Sequence, residues 1–294
     1  MGEKPPSFYS ENKSGVHRMN TAKPTSLRNY VSFTALLGAV LILFFVCPAN
    51  ATVFFDDDFE PPTNFGDWPE FNTTVSELAV TTQEKFTGSQ SLRLIYTDPV
   101  NPCACGAPLG RTFPATTHLF LRFAYKTSVP FQVADIGLTK VLWITGYPGG
   151  WLELQDSPFG TNGKLLLMLY AYDRNDVERL YTNVFVADGQ WHQIEAEFLL
   201  NTPGVSNGAV RVWIDNVLGV ESLNRQLRGP TPTSVAPWGG KTPSDATLNR
   251  IEIYRQTGLG TTYYDRVSAG DTRIGVIGVD GAPHPSPPSS VTAK

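Results

Sequence analysis

Several stretches of the chain carry aromatic and charged side chains on one side of a strict two-residue alternation. From Ala209 to Asp215, Arg211, Trp213 and Asp215 alternate with Val210, Val212 and Ile214. From Trp191 to Leu200, Trp191, Gln193, Glu195 and Glu197 alternate with His192, Ile194, Ala196 and Phe198. From His118, the set His118, Phe120, Arg122 and Lys126 alternates with Leu119, Leu121, Phe123 and Tyr125. Further on, Arg250, Glu252 and Tyr254 alternate with Ile251 and Ile253. Such a period means a strand with one buried and one solvated face. If these strands are neighbours, Arg122, Lys126, Tyr170, Tyr172, Arg211, Trp213, Arg250 and Tyr254 line one groove. Aromatic rings stack on the apolar faces of sugars, and Arg or Lys pairs with uronate carboxylates, so the expected partner is an acidic polysaccharide. The plainer reading is that these are ordinary solvated faces.

Other chemistries have less support. Glu195 and Glu197 share a strand face as an acid/base pair would, but such a pair also fits a solvated face. His192 alternates with Ile194 and Phe198, which reads as a buried, satisfied histidine. His118 has no visible partner, and no Ser or Cys/His nucleophile signature occurs. Cys103 and Cys105 lie one residue apart in a turn-rich segment. A local disulfide clip, two free thiols and redox chemistry are all open there, the first being favoured by an exported context.

The elements that must position these side chains are strands. Residues 1–51 carry five basic residues, an apolar run from Val31 to Val46, and Ala49-Asn50-Ala51. This reads as a secretory signal peptide, with an uncleaved membrane anchor as the alternative. The rest holds 18 basic residues against 25 acidic, a net of −7, which argues against nucleic acid. Strand-like runs follow at Thr52–Phe55, Ser91–Thr97, His118–Ser128, Lys140–Tyr147, Leu165–Asp173, Glu178–Phe185, Trp191–Leu200, Ala209–Asp215, Arg250–Arg255 and Tyr263–Val267. Turn signals such as Tyr147-Pro-Gly-Gly, Thr161-Asn-Gly and Ser206-Asn-Gly separate several of them, and no long helix is visible. The expected fold is all-β, an antiparallel two-sheet jelly-roll sandwich, as one domain over residues 52–280. Residues 281–294 are Pro/Ser-rich and read as a disordered tail.

Asn201-Thr-Pro-Gly, Asn207-Gly208, Val212-Trp-Ile-Asp215 and Tyr263-Tyr-Asp265 resemble the concanavalin A-like jelly rolls. Within them the chain is most similar to the family-fourteen polysaccharide lyases of the alginate and glucuronate type, and Trp191-His192 adds a laminin-G-like feature. The resemblance covers roughly residues 140–275, with a weaker echo at Phe55–Glu60. It implies β-elimination on a uronate polymer, in which a base removes the C5 proton and a donor stabilises the carboxylate dianion. An acid then protonates the leaving oxygen. Lys140 and Tyr170-Ala171-Tyr172 match the family's groove lysine and tyrosine pair in kind and order. One intervening residue puts both hydroxyls on one strand face. The family's Ser-x-Arg element is not found; that region reads Trp151–Asp156. The resemblance further implies that no cofactor serves the chemistry and that a structural Ca²⁺ joins the two chain ends through Asp58, Glu60 and Asp265. The expectation is a secreted or periplasmic protein that binds, and in the enzymatic case cleaves, an acidic polysaccharide. A non-catalytic lectin-like or cell-surface module is the alternative.

Overall fold

The computed structural model describes residues 52–62, 67–68, 70–71, 78–98, 106–133, 138–145, 150–155, 163–237, 239–255 and 258–277. The leader, Cys103 and Cys105, the Tyr147-Pro-Gly-Gly turn and the tail over 281–294 lie outside the described residues. Those described form strands and no helix. In chain order the strands are β1 (Val53–Asp57), β2 (Glu70–Phe71), β3 (Leu78–Thr81), β4 (Ser91–Asp98), β5 (Gly106–Thr116), β6 (His118–Thr127), β7 (Gln132–Val133) and β8 (Leu138–Thr145). They continue with β9 (Gly150–Gln155), β10 (Lys164–Leu169), β11 (Glu178–Phe185), β12 (His192–Leu199), β13 (Gly208–Ile214), β14 (Val217–Arg225), β15 (Leu248–Arg255) and β16 (Gly258–Gly270).

They pair antiparallel into two sheets. The first runs β14-β13-β12-β6-β16-β4-β3, with β1 and β7 also on β16, and the second runs β11-β10-β9-β8-β15-β5-β2. β16 is long enough to hold β4 along one half of an edge and β1 along the other, so the two ends of the described chain pair at Val53 and Gly270. The expected antiparallel jelly-roll sandwich is what forms. The strands at Gly106–Thr116 and Val217–Arg225 escape the sequence reading because Gly, Pro and Asn interrupt their patterns.

Alternation explains the core. Leu119, Leu121, Phe123 and Tyr125 of β6, Ile194, Ala196 and Phe198 of β12, and Val210, Val212 and Ile214 of β13 all point inward. They meet Leu165, Leu167 and Leu169 of β10, Val141, Leu142 and Ile144 of β8, and Ile251 and Ile253 of β15 in one apolar cluster. Each such side chain contributes about 1.5–3 kcal/mol when fully buried. Tyr264 of β16 spans the layer, donating its hydroxyl to the Val141 carbonyl at 2.9 Å. The β13–β14 hairpin turns at Asp215 and Asn216, both at positive φ (51° and 65°), the geometry of a tight two-residue turn. His192 is buried, as expected, between Asp215 at 2.7 Å and Asp188 at 3.1 Å.

The outer face of the first sheet is not a groove, which corrects the reading that merged all the aromatic and cationic positions. Arg122, Lys126, Arg211 and Trp213 lie there, on the opposite side of the sandwich from Arg250 and Tyr254, because β6, β12 and β13 belong to one sheet and β8, β10 and β15 to the other. Their charges are used internally. Buried Arg122 bonds Ser268 Oγ at 2.8 Å and the Gly275 carbonyl at 3.3 Å. Lys126 pairs with Glu84 at 2.7 Å, and Arg211 bridges Glu197 and Glu221. Trp213 lies beneath the Arg273 guanidinium, 4.4 Å from ring to cation. The segment after β16 straps this face: the Ile274 and Gly275 amides donate to Glu195, and the Ile277 amide to Gln193. Glu195 and Glu197 are therefore neither an acid/base pair nor solvated, and His118 has a partner in Glu197 at 2.8 Å.

Burial pushes the Glu197 carboxyl up, but hydrogen bonds from His118 and Arg211 outweigh it and hold the group below its ordinary range. A carboxyl lowered by folding contributes stability that is present above the unfolded-state value of about 4.3 and lost as pH falls through the folded-state value. Unfolding free energy measured by denaturant titration is expected to decline from about pH 4 downward. Glu197→Ala, which removes the carboxylate shared by His118 and Arg211 while Arg211 keeps Glu221, should cost about 2 kcal/mol at neutral pH and flatten that acid slope.

Candidate functional site

The outer face of the second sheet gathers the remaining expected site residues. β8 and β15 are neighbours, with Trp143 opposite Glu252 and Ile253 opposite Leu142. Strict alternation would put Lys140 and Trp143 on opposite faces. A register shift against β9 between Lys140 and Leu142 breaks it, so Val141 and Leu142 both enter the core and Lys140 and Trp143 both face out.

The resulting cluster is compact. The Lys140 ammonium lies 4.9 Å from the Trp143 ring and 5.1 Å from the Tyr254 ring, and those two rings meet edge-on at 5.3 Å. Arg250 pairs with Glu252 at 2.6 Å along the same strand face. On β10, Leu166 and Met168 form a small apolar patch against which Trp143, Tyr170 and Val177 pack. Trp143 thus touches both the Lys140–Tyr254 group and the patch carrying Tyr170. The backbone of Glu153 on β9 is in register with Lys140.

Tyr170 and Tyr172 lie just past the end of β10, which stops at Leu169 rather than reaching Asp173. Alternation nevertheless continues, with Ala171 buried between two half-buried tyrosines. The Tyr172 amide donates to the Leu227 carbonyl at 3.1 Å, and its ring lies against Gly229. The structure therefore brings Lys140, Tyr170, Arg250 and Tyr254 to one face, with Tyr172 at its border. Alternation does not reveal Trp143 as a site residue, because its side is set by the bulge and the run Val141–Ile144 around it is apolar throughout. Glu252 shares the face of Arg250 and Tyr254, as the alternation in that strand implies.

The expected calcium ligands do not gather as one set of three. Asp58 lies 3.5 Å from Arg266. Glu60 accepts hydrogen bonds from the Ser89 and Gln90 amides, and Asp265 Oδ2 from those of Phe86 and Thr87, so these two carboxylates hold one loop from two sides. Asp265 is fully buried and its Oδ1 has no hydrogen-bond partner; burial raises its pKa to about 7. That oxygen suits a hard cation. Among the described residues, however, no group of three His, Cys, Asp or Glu side chains is placed to hold one.

The sequence matches no family model and no curated protein. The fold does have relatives among solved structures. It is similar to a marine PL-14 alginate lyase from Aplysia kurodai at a TM-score of 0.53 and 12% identity, over 74% of this chain and 99% of the other. An endo-β-1,4-glucuronan lyase from Trichoderma reesei aligns at 0.47 and 14% identity, over 75% and 96% of the two chains. The globular domain of T. cruzi calreticulin aligns at 0.44 and 13%, over 76% and 89%. The chain has the antiparallel jelly-roll sandwich fold of that alginate lyase.

Lys140→Met keeps the aliphatic stem over both rings and removes only the charge. Because a half-exposed cation–π contact contributes about 0.5–1 kcal/mol, the variant should unfold within about 1 kcal/mol of wild type in denaturant. It is therefore a suitable probe of chemistry rather than folding.

Proposed function

We propose that the protein binds an acidic polysaccharide across the outer face of the second sheet, as an exported protein directed by the leader at 1–51. The observation that carries this reading is Lys140 placed over the edge-on pair Trp143 and Tyr254, with Arg250 on the same face. Aromatic rings offer a platform for the C–H faces of sugars, and two cations meet the carboxylates of a uronate polymer.

The same group is equipped for β-elimination, and we extend the proposal to it. Lys140 neutralises the uronate carboxylate, which lowers the cost of the dianion formed when the C5 proton leaves. One of the two tyrosines, Tyr170 or Tyr172, acting in its phenolate form, takes that proton, and the phenol so formed returns it to the departing C4 oxygen as the C4–O bond breaks, leaving a C4–C5 double bond. Arg250, with Glu252 fixing its guanidinium, stands in for the cation of the missing Ser-x-Arg element. A lectin-like protein would use the same surface without the proton transfer.

Purified protein incubated with alginate, glucuronan and related polymers should generate ultraviolet-absorbing unsaturated ends. Lys140→Met and Tyr172→Phe should each reduce that rate by about 10²-fold or more. Trp143→Ala should weaken binding about tenfold, measured by calorimetry on uronate oligosaccharides. Binding without product would leave the lectin-like reading, and no binding to any uronate polymer would remove both.

Calcium belongs to the proposal as a structural ion held by Asp265 and Glu60, with loop oxygens completing the set and Asp58 outside it. Millimolar CaCl₂ should raise the melting temperature over EDTA-treated protein, and Asp265→Asn should abolish that rise. Equal melting temperatures would dismiss the ion.

A further inference from the structure

The connection from β14 to β15 is a built element rather than a simple turn. The Gly229 amide donates to the Thr242 carbonyl, Thr242 to Ser234, Ala236 to Gly240 and Ser244 to Thr231, while Val235 and Lys241 form a β-bridge. The element packs against the border of the candidate face. A Cβ at Gly229 would lie 2.2 Å from Ser234 Cβ and 3.0 Å from the Tyr172 ring, so this position admits only glycine without displacing its neighbours. A cavity of about 280 Å³ opens on the element, lined by Pro232, Thr233, Ser234, Val235, Lys241 and Pro243.

The lining has the division a charged sugar needs. Pro232, Val235 and Pro243 supply an apolar wall, and Thr233 and Ser234 supply hydroxyls. Lys241 supplies a cation. Many other cations of the fold have carboxylate partners: Arg111 has Asp57, Arg122 has Asp56, Lys126 has Glu84 and Arg225 has Asp173. The Lys241 ammonium has no ion-pair partner among the described residues.

We propose that this cavity is a separate subsite for one uronate unit of the polymer, with Lys241 pairing its carboxylate and the proline–valine wall receiving the ring. The inference rests on the acidic-polysaccharide reading of the neighbouring face. It adds that the bound chain runs past Tyr172 and is gripped by the β14–β15 connection. Binding energy taken up there, away from the reacting bond, would set register and length preference.

The test is calorimetric titration of wild type, Lys241→Gln, Lys241→Arg and Trp143→Ala. The ligands are uronate oligosaccharides of increasing length and their carboxyl-reduced, neutral counterparts. Lys241→Gln should lose about tenfold in affinity for the longer uronate oligosaccharides only, leave the neutral ones unchanged, and be largely rescued by Lys241→Arg. If Lys241→Gln binds every oligosaccharide as wild type does while Trp143→Ala is weakened, the subsite is overturned and the reading of the main face stands. If wild type binds no uronate oligosaccharide, both fall together. A melting temperature for each variant within a degree or two of wild type removes misfolding as a source of the difference.

Discussion

A strand has two faces, and in this sandwich every inner face is committed to a single apolar layer. That constraint decides where function can reside. With Phe123, Phe198, Leu167 and Ile253 packed in one cluster inside, the polar chemistry of the strands must lie on the two outer faces. The first of these is closed. Arg122 and Glu195 are buried there beneath the segment that follows β16, Glu197 is buried between His118 and Arg211, and desolvated charges persist only because each has a partner. The second gathers half-buried aromatic rings around Lys140, with Arg250 and its partner Glu252 on the same face.

Much of this was legible in the sequence. Alternation identified the inward residues of β6, β12, β13 and β15, because each strand has one wholly apolar side. The same signal did not tell which strands share a sheet. Arg211 and Arg250 look equivalent in sequence, with an aromatic two or four residues on, yet they lie on opposite sides of the molecule. Strand order is a long-range property set by how the layers close, and local pattern carries little of it. Ion pairs were also hidden: His118 and Glu197 are 79 residues apart in the chain.

The β8 bulge shows a third kind of limit. One extra residue in a strand reverses the side of everything after it. Read strictly, Lys140 and Trp143 diverge; in the fold they meet over Tyr254. The run Val141–Ile144 is apolar throughout, so nothing local shows where the register slips. Bulges of this kind re-aim side chains near functional sites, and here one places a ring under the lysine that the resemblance to lyases singled out.

The pairing of the two chain ends has a mechanical consequence. Val53 lies opposite Gly270 and Asp57 opposite Val267, so β1 and β16 run antiparallel with the chain exits at the same end. The Thr52 amide donates to Asp271, and the Asp271 amide to the Thr52 carbonyl. A force applied between these exits does not load the ladder in shear, where all its hydrogen bonds resist at once. It first peels the strap over β12 and then unzips β1 one bond at a time. A sandwich stable to heat would thus yield to a small pull when held by both ends.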